Sequence, residues 1–236
     1  MDRRYHQNPP HPDLDDIIQA AVLPPRVERI DQVLAGRTRD LVVVLENLED
    51  SHNLSAVLRS ADGFGVQEVH VVETRGPLEI SRKVTQGCHK WLELTRHEDP
   101  LSCLDRLHAR GFQLWAAALD PHAIPLTSID FSRPTALVFG NEREGLTPAL
   151  ASRCDGSYII PMRGFSQSFN VSVAAAISLF YATLPREVCG GGVAGRLLPE
   201  DRDEIRRQWL SLSVKQGKRI ERALEDREDG AGEPDW

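Results

Sequence analysis

The chain has little cysteine and none of it is paired. Cys88, Cys103, Cys154 and Cys189 are four thiols in 236 residues, and no two stand at redox or metal-ligand spacing. Such usage fits reduced thiols in a reducing compartment, not a disulfide framework. The eight histidines form no H-x-x-x-H arrangement, so no metal is expected. No apolar run near the N-terminus is long enough for a signal peptide or a membrane span, which points to a cytoplasmic protein with no membrane partner. Neither G-x-G-x-x-G nor a P-loop lysine pattern is present, which disfavours dinucleotides and nucleoside triphosphates. An excess of positive charge is also missing: 28 Lys and Arg face 35 Asp and Glu, for a net charge of −7. That balance weighs mildly against nucleic acid, although binding depends on where basic residues cluster. There is no internal repeat.

What is present is an alternation of short apolar strands and helices. Strands are expected at Leu41–Leu45, Val69–Val72, Lys90–Leu94, Phe112–Ala116, Thr135–Phe139 and Tyr158–Ile160. Helices are expected at Asn53–Gly65, Leu101–Arg110, Pro148–Arg153 and from about Asn170 to Pro185. This order predicts an α/β fold, doubly wound, with a parallel sheet covered by helices on both faces. Two short helices precede it, one capped by Asp13 and one from Pro25 to Leu34. A Gly-rich linker, Cys189–Gly195, leads to a basic helix from Pro199 to Glu225 and a polar tail. The division is therefore residues 1–40, 41–187 and 188–236.

Three segments carry candidate chemistry. In the first, a strand runs into Glu46-Asn-Leu-Glu-Asp-Ser-His-Asn53, and Arg59 follows six residues later. Asn53 reads equally as a helix N-cap, and Arg59 alone as a solvated helix-face residue. The second is Phe139-Gly-Asn-Glu-Arg-Glu-Gly145, a strand and a glycine loop with Glu142 at the carboxyl edge, where open α/β sheets place ligands. The third is Ile160-Pro-Met-Arg-Gly-Phe-Ser-Gln-Ser-Phe-Asn170, followed by Val171-Ser-Val-Ala-Ala-Ala176. A polar turn entering a helix of small residues leaves main-chain N–H groups available to a ligand. A tightly packed core helix explains Val171–Ile177 without function, but not the cluster Ser166, Gln167, Ser168 and Asn170.

In order and spacing, these segments resemble the three motifs of the SpoU/TrmH family of SPOUT RNA 2′-O-ribose methyltransferases. Within it they most resemble enzymes acting on guanosine 18 of the tRNA D-loop, as does Gly87-Cys-His-Lys-Trp91. The resemblance implies a C-terminal deep trefoil knot, a homodimer, tRNA as partner and S-adenosylmethionine as cofactor. It places Ala117, Gly140, Ile160 and Phe169 against the cofactor, largely through main chain, with Leu119, Met162 and Ser168 lining the same pocket. Asn53, Arg59, Glu142, Ser168 and Asn170 would serve catalysis. Asn53 would orient the ribose or Arg59; Glu142 would accept from the substrate or hold Arg59. A guanidinium keeps its proton, so Arg59 is read as a phosphate clamp that stabilises the developing alkoxide. RNA contacts fall to Arg26, Arg29, Arg37 and Arg39, to Arg82, Lys83, His89 and Lys90, and to Arg206 and Arg207 of the basic helix. That helix reads equally as a solvated or dimer-packing face. The alternatives are a ribosomal RNA 2′-O-methyltransferase and a non-catalytic RNA-binding protein of the same fold.

Overall fold

The computed structural model describes residues 21–188 and 197–214. The expected Asp13-capped start, the 189–195 linker, the last part of the basic helix and the tail lie outside them. The chain divides into two units. One holds α1 (Pro24–Ala35) and α7 (Pro199–Ser213), from opposite ends of the sequence. These two helices bury Ile30 and Leu34 on one side and Ile205, Trp209 and Leu210 on the other, and Arg206 Nε donates to Asp31 at 2.6 Å.

The other unit, residues 36–197, is built on one seven-stranded sheet. Its strands are β1 (Thr38–Glu46), β2 (Val66–Val72), β3 (Glu93–His97), β4 (Gln113–Ala117), β5 (Ile124–Pro125), β6 (Thr135–Phe139) and β7 (Gly156–Ile159), in the order β3-β2-β1-β6-β4-β7-β5, every ladder parallel. Leu41 to Leu45 are wholly buried, as a central strand covered on both faces requires. Alternate residues divide between two cores. Leu41, Val43, Leu45, Val69, Val71, Leu137 and Phe139 meet α2 (Ser51–Gly63) and α6 (Val171–Val188). Val42, Val44, Val72, Leu114, Ala136 and Val138 meet α4 (Pro100–Ala109) and α5 (Pro148–Ala151). A single turn of helix, α3 (Arg82–Thr85), lies before β3. No helix among the described residues is long and apolar enough to cross a membrane.

Three expectations are corrected. The strand expected at Lys90–Leu94 begins at Glu93. Gln86 and Gly87 take left-handed backbone angles, which throws Cys88–Trp91 into a 3-10 turn. α2 starts at Ser51, and its cap is Asp50, which accepts from His52 N at 2.8 Å; Asn53 lies inside the first turn. Pro185 does not end α6, which runs on to Val188, because a proline can cost one i→i−4 bond without breaking a helix. β5 and α3, too short for periodicity, were not anticipated. The chain runs outward from β1 to β3, then crosses to β4, with β6 inserted between β1 and β4. That reversal of winding direction opens a crevice at the carboxyl ends of the strands.

Candidate functional site

A cavity of about 1100 Å³ occupies that crevice. Its walls are the ends of β4, β6 and β7, the loop after each, and the first turn of α6. Ala117, Leu119, Gly140, Ile160, Met162, Ser168 and Phe169 all line it, as do Glu142 and Asn170. The second loop is shaped by its own main chain. Asn141 N donates to Gly145 O at 2.9 Å and Gly145 N returns the bond to Asn141 O at 3.0 Å. A Cβ on Gly140 would stand 2.3 Å from the Gly145 carbonyl carbon, so no other residue fits there. Trp115, Tyr158 and Ile160 add an apolar wall.

Buried polar groups anchor this loop to β1. Glu46 is 1% exposed and accepts from Thr147 N at 2.8 Å and Thr147 Oγ1 at 2.6 Å. Asn141 Nδ2 donates to Asn47 O at 2.7 Å, while its Oδ1 accepts from Arg143 N and Glu144 N. Asn47 Oδ1 in turn accepts from Thr74 N at 2.8 Å. Sequence reading assigned no role to Glu46, Asn47 or Asn141. The signal available was an acidic and an amide residue closing an otherwise apolar strand.

At the cavity rim, side chains from all three candidate segments meet. Asn170 Oδ1 accepts from Ser172 N at 2.9 Å and Ser172 Oγ at 2.6 Å, capping α6. That fixes its amide so that Nδ2 donates to Asn53 Oδ1 at 3.1 Å. Asn53 Nδ2 must then point the other way, and it donates to Glu142 Oε1 at 2.8 Å. Glu142 Oε2 accepts from Glu49 N at 3.0 Å, beside the start of α2. Burial pushes the Glu142 carboxyl up, but the bonds from Asn53 and the backbone N–H groups outweigh it and hold its pKa below the ordinary carboxylate range. Glu142 is therefore a fixed anion that orients Asn53, and its contacts are with Asn53 and the α2 entry rather than with Arg59.

Arg59 does not line the cavity. It lies six residues beyond Asn53, about 240° around the helix, and is exposed, with Nη1 donating to Val84 O at 3.3 Å. There it joins a cationic surface with Arg82, Lys83 and Lys90, all exposed, and half-buried His89. Lys90 Nζ stands 4.8 Å from the Trp91 ring centre. His89 Nδ1 is 2.9 Å from Thr85 Oγ1; burial, then Arg82 and Lys90, hold its pKa below the usual imidazole value.

Arg37 is a correction. It is 1% exposed, donates to Val66 O at 2.9 Å and pairs with Asp62, so it ties β1 to α2 and β2 and presents nothing to RNA. Arg39 pairs with Glu93 across the sheet edge and is partly covered. Arg29 and Arg207 are exposed, and Arg26 Nε donates to Ser213 Oγ at 3.4 Å. Arg206 is held by Asp31.

The model of the SpoU rRNA Methylase family matches residues 40–180. The chain is similar to the tRNA (guanosine(18)-2′-O)-methyltransferase of Thermus thermophilus, 40% identical over 78% of this chain and 95% of that one. The crystal structure of the A. aeolicus TrmH/SpoU tRNA modifying enzyme superimposes with a TM-score of 0.75 at 33% identity, covering 84% of this chain and 98% of that one. AviRb from Streptomyces viridochromogenes, in complex with AdoMet, gives a TM-score of 0.59 at 25% identity over 67% of this chain and 65% of that one.

Proposed function

The chain belongs to the SpoU rRNA methylase family, and we propose that it transfers a methyl group from S-adenosylmethionine to the ribose 2′-OH of guanosine 18 in tRNA. The observation that carries this reading is the meeting of Asn53, Glu142 and Asn170 at the rim of a cavity lined by all seven expected cofactor residues. The cavity suits the cofactor chemically. Its glycine loop exposes main-chain groups for a polar nucleoside, and Leu119, Ile160, Met162 and Phe169 offer apolar surface. When bound there, the cofactor supplies an already activated methyl.

The protein's task is then alignment and charge control. The amide chain from Asn170 through Asn53 to Glu142 sets the rim and orients an Asn53 amide at the ribose. Ser168, on the cavity wall, faces the same space. Arg59 stays a cation and grips an RNA phosphate; because it lies outside this chain's cavity, the 2′-oxygen whose developing charge it stabilises is one held at the cavity of a second copy. Arg82, Lys83 and Lys90 extend that grip along the backbone. The similarity to tRNA enzymes over nearly their whole length favours tRNA over ribosomal RNA, whatever the family's name.

Two finer features belong to this reading. The turn from β7 through residues 160–170 into α6 closes a deep trefoil knot, consistent with β7 lying between β4 and β5 while α6 returns to α2. The protein is a homodimer in the cytoplasm. Phe165, Phe169, Val173 and Phe180 are exposed along one continuous stretch, with Phe165 fully so and Phe180 at 53%, an apolar surface that a second copy would cover. The test is to incubate the purified chain with labelled methyl donor and either tRNA or 23S rRNA transcripts, then map the modified nucleotide by mass spectrometry. Label at the 2′-oxygen of guanosine 18 supports the proposal. Label confined to ribosomal RNA, or binding of tRNA without transfer, would overturn it in favour of the rRNA enzyme or the non-catalytic protein.

A further inference from the structure

Far from the cavity, at the β2–β3 edge of the sheet, a second constellation has no part in this chemistry. Parallel pairing sets Val72 opposite His97 and His70 opposite Thr95, so His70 and His97 project diagonally from one face. Asp99 caps α4, accepting from Leu101 N at 3.1 Å and Ser102 N at 3.3 Å, and the helix turns back over that face with Cys103 directed inward. His70 Nδ1 lies 2.8 Å from His97 Nε2, and one ligand atom from each of His70, His97 and Cys103 lies within 4.8 Å of the others. The three residues are 7%, 9% and 1% exposed.

The surroundings decide which lone pairs are available. Glu68 receives Arg110 Nη1 at 2.6 Å and Nη2 at 2.7 Å, a bidentate pair. Held by that pair, Glu68 Oε1 lies 2.8 Å from His70 Nε2 and accepts a hydrogen bond from it. His70 Nδ1 is thereby left with its lone pair facing His97 and Cys103. A carboxylate that fixes the outer nitrogen of an imidazole is the usual support of a metal-ligating histidine. Arg106 on α4 and its cap residue Asp99 also act on His97, with opposite signs.

We propose that His70 Nδ1, His97 Nε2 and Cys103 Sγ form a site for a borderline-soft divalent transition metal of the zinc class. Two imidazoles and one thiolate are suitable ligands for such an ion. Without an ion Cys103 is a free thiol and His97 Nε2 donates to His70 Nδ1 at 2.8 Å. On binding, the thiol proton leaves to solvent and the His97 proton sits on Nδ1, so both imidazoles remain neutral. Cα positions need little change, because the ligand atoms already face one another. The ion would pin α4 to the β2–β3 edge, a structural role independent of the methyl donor. The spacing of 27 residues between the histidines follows from strand pairing, which is why no linear motif announced it.

The test uses the full chain with cobalt(II) as a spectroscopic probe. One equivalent of Co²⁺ should give a sulfur-to-cobalt charge-transfer band that Zn²⁺ removes. Cys103→Ser, nearly isosteric, and His97→Gln should both abolish it, while Cys88→Ser should keep it. At about 100-fold excess over Kd, Zn²⁺ should raise Tm by roughly 5–10 °C in the parent chain and not in Cys103→Ser. Absence of the band in the parent chain, its survival in Cys103→Ser, or an unchanged Tm with Zn²⁺ would each overturn the site. Because transfer of methyl groups is not the readout, failure here leaves the proposed activity standing.

Discussion

The two ends of α2 are organised in opposite ways. Around Asn53 the side-chain amide is tied within the chain: to Asn170, to Glu142, and through Glu142 to the α2 entry. Around Arg59 there are exposed cations and one long bond to Val84 O. On the proposed reading the donor side is built in advance from main chain and fixed amides, whereas the RNA side is a set of exposed charges. A rigid small-molecule pocket beside a loosely held electrostatic surface is what a transfer to a large polyanion requires. Affinity for the donor then depends on shape, and affinity for RNA on salt.

Four substitutions would sharpen or break this contrast. Gly140→Ala should be the most severe, because the new Cβ meets backbone at 2.3 Å and the loop must move. Donor affinity by calorimetry should fall on the order of 100-fold or more, about 3 kcal/mol. A donor affinity within a factor of two of the parent would show that the loop is not the pocket's floor. Glu142→Gln replaces an acceptor by a group that also donates, against Asn53 Nδ2 and the Glu49 and Asp50 N–H groups. It should lower kcat roughly 10-fold or more, at a cost of about 1–3 kcal/mol for the unsatisfied donors.

The pH dependence at Glu142 has a definite sign. Its pKa is depressed in the folded chain, so its contribution is fully present above the ordinary carboxylate value and is lost only as pH falls through the lower folded value. Circular dichroism titration of parent and Glu142→Gln should therefore differ above that window and converge below it. Divergence that appears only near neutral pH would contradict a fixed anion.

Tyr158→Phe tests the wall that joins strand to helix. Tyr158 OH donates to Ser178 Oγ at 2.9 Å, both are buried, and burial raises the phenol pKa, so the group acts as a neutral donor. Loss of the bond should cost about 1–2 kcal/mol of stability by urea unfolding. The smallest effect should come from Lys83→Ala on the exposed surface. It should leave donor binding unchanged, weaken tRNA binding modestly and reduce the slope of log K against log salt by about 1.

Much of this arrangement was legible from local pattern. The apolar strand Leu41–Leu45 and the inward positions of α2, Leu54, Val57, Leu58 and Ala61, follow from periodicity alone. The expected cofactor residues came instead from the resemblance, and they line one cavity. What was not legible depended on distant partners. Arg37 looks like any surface arginine until Asp62 and Val66 O are placed around it. Asn53 looks like a cap until Asp50 takes that role. Lys90 and Trp91 read as strand unless left-handed Gln86 and Gly87 are foreseen. Glu46 is a charge at a buried strand end, understandable only with Thr147, 101 residues away, in view.

The separation between a preformed donor pocket and an RNA-gripping guanidinium is tested most directly by Arg59→Lys, which keeps the charge and loses the fork. Calorimetry with S-adenosylmethionine, followed by single-turnover methylation of tRNA on the same preparation, gives both readings. The account predicts unchanged donor affinity with transfer slowed roughly 100-fold or more. Transfer at the parent rate, or donor affinity that falls in step with transfer, would contradict it.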